Sequence, residues 1–117
     1  MTAVPDWLRR HYAAVDDARL DDYLADFADD AEVRFGAGPV VRGKADVRAA
    51  LAAGHARHDM RHEFLEVWES GATTIAEFSV TYTYPDGRVE TVPALTVLER
   101  PGGLVASMRV YIDRLRE

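Results

Sequence analysis

Four histidines, His11, His55, His58 and His62, are the side chains here best matched to moving a proton near neutral pH. Three of them, His55, His58 and His62, follow an H-x-x-H-x-x-x-H spacing that invites a metal reading. They would span a helix end, a loop and a strand, so no single rigid element presents them together. The chain has no cysteine, which removes thiolate ligands, thiol nucleophiles and disulfides together. Without a carboxylate partner either, no metal is expected. His55 and His58 are expected to be solvated, with His55 favourably placed against the C-terminal dipole of a helix.

Other groups with chemical potential are carboxylates and phenols. Asp113, in Tyr111-Ile112-Asp113, has the look of a nucleophile or base. If Val110 and Ile112 face inward, however, Arg109, Tyr111 and Asp113 face outward, where Asp113 can pair with Arg109 or a partner subunit. Only a bulge would reverse that, so Asp113 ranks last. Glu66 and Glu77 meet the same difficulty. The acidic set Asp16, Asp17, Asp21, Asp22, Asp26, Asp29 and Asp30 is spread over helix ends and turns, where capping and solvation account for it.

The elements that must position these groups are legible. Pro5 opens a helix in which Leu8, His11, Tyr12 and Val15 recur at three- and four-residue spacing and so share a face. Asp16-Asp17 ends it, and a second short helix, about 19–27, places Leu20, Tyr23, Leu24 and Phe27 together. Residues 32–35 and 40–42 read as short strands. Gly43 introduces a third helix, about 44–55, with Val47, Ala50, Leu51 and Gly54 on its apolar face. A strand over about 61–68 leads into three more, 73–84, 88–100 and 104–113, joined by Pro85-Asp86-Gly87 and Pro101-Gly102-Gly103. Alternation is clearest in the first of these three, which puts Ala76, Phe78, Val80, Tyr82 and Tyr84 on one face. Helices segregated from a run of antiparallel strands indicate an α+β fold, one curved sheet with helices on one side.

Composition narrows the function. With 117 residues, 48% of them hydrophobic, the chain fits one domain, 1–117, with a core of useful size. Fourteen basic against twenty acidic residues leave a net charge of −6 and no basic cluster, which argues against nucleic acid and anionic membranes as partners. The N-terminus, Met1 to Trp7, has no basic start followed by an apolar core, and no run approaches membrane-spanning length, so a soluble cytoplasmic protein is expected.

Phe27-Ala28-Asp29-Asp30-Ala31-Glu32-Val33, the Gly43-Lys44 helix start, Tyr84-Pro85-Asp86-Gly87-Arg88 and the ending Arg109-Val110-Tyr111-Ile112-Asp113, in that order, resemble the SnoaL-like branch of the nuclear-transport-factor-2-like (NTF2-like) superfamily. The resemblance implies a cone, in which a bent antiparallel sheet wraps around a helix and leaves an apolar pocket open at one end. Relatives include ketosteroid isomerases, limonene epoxide hydrolases, scytalone dehydratases, polyketide cyclases and binding modules, so the fold alone leaves function open.

Laid over this sequence, the ketosteroid isomerase pattern puts its tyrosine at His11 and its two aspartates at Phe35 and Leu95. The limonene epoxide hydrolase pattern falls on Phe78, Val80 and Val110, with its water-holding pair at Val33 and Phe35. Phenylalanine abstracts no proton and leucine donates no hydrogen bond, so neither mechanism is available. The resemblance instead implies an oily pocket lined by Val15, Val33, Phe35, Phe78, Val80, Leu95, Val97, Met108, Val110 and Ile112. The same overlay brings His62 into that pocket, beside His11 and Tyr12 from the first helix, with Tyr82 by strand parity.

The expected chemistry is cofactor-independent proton transfer on a hydrophobic ketone or polyketide-like substrate. His62 would be the acid or base, His11 a second proton carrier or orienting donor, and Tyr12 and Tyr82 hydrogen-bond donors to an enolate or alkoxide. A binding protein for an apolar molecule, or a dimeric interaction module, is the alternative. Val92, Ala94, Thr96, Leu98, Val105 and Tyr111 would form an apolar patch on the outer sheet face and support a homodimer.

Overall fold

The computed structural model describes residues 3–113; Met1 and Thr2 of the N-terminal reading, and residues 114–117, lie outside them. Helix α1 (Asp6–Asp16) follows Pro5 and buries Leu8, His11, Tyr12, Ala14 and Val15, the face that the spacing predicts with Ala14 added. Helix α2 (Leu20–Leu24) is shorter than expected, because Phe27 already belongs to strand β1 (Phe27–Phe35). Strand β2 (Val40–Arg42) leads to Gly43, whose φ of 87° suits glycine and whose N–H donates to the Ala31 carbonyl at 2.9 Å. That turn launches helix α3 (Lys44–Arg57), which passes without a loop into β3 (Asp59–Ser70). The remaining strands are β4 (Thr73–Thr83), β5 (Val89–Glu99) and β6 (Val105–Ile112). Among the described residues no helix is long and apolar enough to cross a membrane.

The six strands form one open curved sheet in the order β2-β1-β6-β5-β4-β3. Strands β3 to β6 are successive antiparallel neighbours, but β1 runs parallel to β6, so the sheet is mixed rather than wholly antiparallel. In β3 an extra residue between Phe64 and Glu66 leaves Leu65 unmatched and bends the edge strand.

Register decides what faces inward, because directly opposed residues of an antiparallel pair share a face. Val80 opposes His62 on one side and Val92 on the other; Phe78 opposes Phe64 and Ala94; Ala76 opposes Thr96. Across the next ladder Ala94, Thr96 and Leu98 oppose Ile112, Val110 and Met108. The even-numbered residues of β5 therefore point into the cone, which reverses the expectation for that strand. Leu95 and Val97 lie on the outer face and line no part of the interior. Conversely Val92, Ala94, Thr96, Leu98 and Val105 are buried, and of the expected outer patch only Tyr111 is exposed. The outer face instead carries Ile75, Leu95, Val97 and Tyr111, with Trp68 opposite Ile75 on the edge strand.

Candidate functional site

The concave side of the sheet and the buried face of α1 enclose a chamber of about 90 Å³. Its walls are Tyr12 and Val15 from α1, Tyr23 from α2, Phe35 from β1, Leu51 from α3, and Met60 and His62 from β3. Val80 and Tyr82 of β4, Ala94 and Thr96 of β5, and Met108, Val110 and Ile112 of β6 complete them. Phe35, Leu51, Met60, Tyr82, Val110 and Ile112 form a collar shared with an outer chamber of about 340 Å³, which continues along α3 past Ala50, Ala53, Gly54, Arg57 and His58.

Among the residues lining the inner chamber is His62. Asp16, the last residue of α1, holds it at two points: Oδ1 lies 2.6 Å from the imidazole Nδ1, and Oδ2 accepts the His62 backbone N–H at 2.9 Å. Strand β3 is a sheet edge, so this second bond satisfies an N–H on a strand with only one neighbour. Both side chains are largely shielded, at 13% and 10% exposure. A carboxylate on Nδ1 favours the tautomer with its proton there and leaves the Nε2 lone pair as a base. The adjacent Asp17 is taken up by Arg61 at 3.2 Å, outside the chamber.

Tyr12 stands next to this pair, its ring 4.8 Å from that of His62. Burial pushes its phenol well above the usual tyrosine range, a shift that a hydrogen bond with Thr96 opposes. Tyr12 thus remains a neutral O–H donor across the working pH range. Phe78, fully buried, backs both rings at 4.5 Å from Tyr12 and 5.0 Å from His62. It supports the site from behind rather than lining it, and Val33, also fully buried, has no place in the wall.

His11 takes a different position from the one expected. It is 1% exposed, stacks on Tyr23 at 4.0 Å, and its Nδ1 lies 2.7 Å from Asp26 Oδ2. Trp7, Tyr12 and Phe27 surround it, and it reaches neither chamber wall, so it orients Tyr23 and Tyr12 rather than carrying a proton to a ligand. Burial lowers its pKa below 6.5, against the pull of the Asp26 carboxylate. The unfolded chain therefore takes up the proton first, and this contribution to stability is present above about pH 6.5 and lost as the pH falls toward the folded value. His11→Gln removes that linkage. Thermal melts at pH 7.5 and 5.5, on the order of one unit either side of the unfolded pKa, are expected to show a smaller loss in the variant than in the parent.

Tyr82, buried at the collar, lies edge-on to His58 at 4.6 Å. His58 is buried rather than solvated, because α3 turns directly into β3 and folds this residue against Tyr82 and Tyr84. His55 is half-buried. Among the described residues, no group of three or more histidine or acidic side chains is placed to hold a metal ion. Asp113 is exposed beside Glu77, Leu95 and Tyr111 on the outer face, and Arg109 pairs with Glu99 at 2.8 Å instead of with Asp113. The site residues that motif reasoning misses are Asp16, Tyr23 and Thr96. Asp16 sits in an Asp-Asp helix stop with no local signal. Thr96 follows from carrying the clear alternation of β4 across the hairpin.

Residues 8–108 match the family model described as the SnoaL-like domain. No curated protein matches the chain. A protein of ketosteroid isomerase-like fold from Catenulispora acidiphila, in complex with trimethylamine, has a TM-score of 0.85 at 17% identity, covering 93% of this chain and 86% of that one. An NTF2-like protein of unknown function from Burkholderia pseudomallei has a TM-score of 0.83 at 22% identity, covering 90% and 86%. TerC, co-crystallised with polyporic acid, has a TM-score of 0.80 at 20% identity, covering 90% and 87%. At such identities the likeness to these structures carries the fold.

Proposed function

The chain belongs to the SnoaL-like domain family, and from that premise we propose that it catalyses acid–base isomerisation, cyclisation or dehydration of a hydrophobic ketone without a metal or organic cofactor. The observation that carries this reading is the Asp16 carboxylate on His62 Nδ1 inside an apolar chamber. In this scheme Nε2 of His62 removes a proton from the carbon next to the substrate carbonyl, and Asp16 stabilises the imidazolium that results. The Tyr12 hydroxyl, kept protonated by burial, donates to the developing enolate oxygen. Return of the proton from Nε2 to another carbon gives an isomer; delivery to a leaving hydroxyl gives dehydration; attack of the enolate carbon on a second carbonyl closes a ring, the alkoxide formed as that C=O π bond breaks taking the proton from Nε2. Tyr82 at the collar orients the part of the substrate that enters. The ligands named for the structural relatives, trimethylamine and polyporic acid, support a small-molecule partner.

A panel of hydrophobic ketones in deuterated water tests the reading. Wild-type protein is expected to speed deuterium incorporation beside the carbonyl of a bound ketone. His62→Gln is expected to lose about 10²–10⁴-fold of that rate while keeping the dissociation constant within roughly threefold. Binding without exchange in the wild type would instead support a non-catalytic pocket protein.

In this reading two copies pair through the outer sheet face. Leu95→Glu puts a second carboxylate directly opposite Glu77, beside Val97 and Tyr111, and is expected to convert a dimer to a monomer in sedimentation velocity. A parent that already sediments as a monomer contradicts the pairing.

A further inference from the structure

The two chambers differ in size and in charge. The inner one, about 90 Å³, admits the reacting edge of a molecule, so the body of any substrate of drug-like size must occupy the outer one, about 340 Å³. Its helical wall is Ala50, Ala53 and Gly54, whose small side chains leave the space open; a Cβ added at Gly54 meets nothing within 4 Å. Among the described residues the one Lys or Arg in its lining is Arg57, in the last turn of α3, next to His58 at the junction of α3 and β3. No carboxylate lines this chamber among the described residues, although acidic residues outnumber basic ones by twenty to fourteen in the chain. Against that net-acidic background, the lining carries one cation, the exposed Arg57, and no carboxylate.

We infer that the outer chamber is a subsite for the non-reacting half of the ligand, and that it selects hydrophobic molecules carrying an anionic group, a carboxylate, sulfonate or ionised phenol, which Arg57 engages at the mouth. Guanidinium is suited to this task because it stays charged and presents a planar fork of donors to paired oxygens. The apolar walls supply affinity and Arg57 supplies the choice between anionic and neutral ligands. The inference rests on the proposed use of the same cavity as a substrate site, but it concerns affinity and can be read without turnover.

Two fluorescent probes with the same ring system isolate the charge: anilinonaphthalene sulfonate, which is anionic, and phenyl naphthylamine, which is neutral. Arg57→Gln is expected to weaken the sulfonate by about tenfold and to leave the neutral probe unchanged, with Arg57→Lys restoring part of the difference. Added salt is expected to weaken the sulfonate alone in the parent protein. Gly54→Phe, which fills the chamber, is expected to exclude both probes. Equal effects of Arg57→Gln on the two probes, no effect on either, or undiminished binding to Gly54→Phe would overturn the inference. Probe affinity is read without turnover, so absence of ketone exchange with the probe selectivity intact rejects the proposed base alone, and loss of that selectivity rejects the anion subsite alone.

Discussion

Asp16→Asn is expected to lower the rate of proton exchange on a bound ketone by about 10²–10⁴-fold while leaving the protein folded and its ligand affinity nearly intact. The substitution is close to isosteric, and its effect follows from which atoms of Asp16 do which task. The amide oxygen of asparagine can still accept the His62 backbone N–H that Oδ2 accepts at 2.9 Å. The other contact, 2.6 Å from Oδ1 to Nδ1, would then face an amide NH₂, which donates. Nδ1 must become an acceptor, the ring proton moves to Nε2, and the atom aimed at catalysis turns from a base into an acid. The negative charge that stabilises the imidazolium disappears in the same step. A loss of rate with an unchanged thermal melt separates this from simple unfolding. Equal rates for Asp16→Asn and the parent would mean that the carboxylate does no more than fasten α1 to the edge of the sheet.

Phe78→Ala is expected to cost about 3–5 kcal/mol of stability, the range for removing a buried aromatic ring when the surroundings collapse only in part. Phe78 is fully buried at the base of the inner chamber, where Tyr12, His62 and Phe64 meet its ring at 4.5, 5.0 and 4.8 Å. Those three neighbours come from α1 and β3, so little can move inward without loosening the contact between α1 and the sheet. Phe78→Leu, which retains most of the volume, is expected to lose less stability. Chemical denaturation of the two variants measures the difference. A cost below about 1 kcal/mol for Phe78→Ala would show that the site relaxes around the missing ring.

Much of this arrangement is legible in the residues because one clear pattern anchors each part. The three- and four-residue spacing of Leu8, His11, Tyr12 and Val15 gives the buried face of α1, and the alternation of β4 gives the inward set that Val80 and Tyr82 share. Strand β5 lacks such a pattern. Its run Val92-Pro93-Ala94-Leu95-Thr96-Val97-Leu98 is apolar on both faces, and counting back from the Pro101–Gly103 turn lands one residue out of step. The hairpin contains the correction, since Val80 pairs with Val92 and Ala76 with Thr96. The Asp16–His62 pair is of another kind. Forty-six residues separate the two, and the bond exists only because α1 ends over the edge of β3. Nothing local distinguishes Asp16 from Asp17, which the fold sends to Arg61. His11 shows the converse: the helix face is correctly inward, but this inward residue stops at Tyr23 without reaching the cavity.

The tautomer of His62 in the ligand-free protein is the sharpest test of the proposed base, because the base is defined by where the ring proton sits. Long-range nitrogen–proton NMR reads it, with His62→Gln assigning the signals, at a pH where the ring is neutral. A proton on Nδ1 and a bare Nε2 are expected in the parent, and the reverse in Asp16→Asn. A proton on Nε2 in the parent, or the same tautomer in both proteins, would contradict the proposed base.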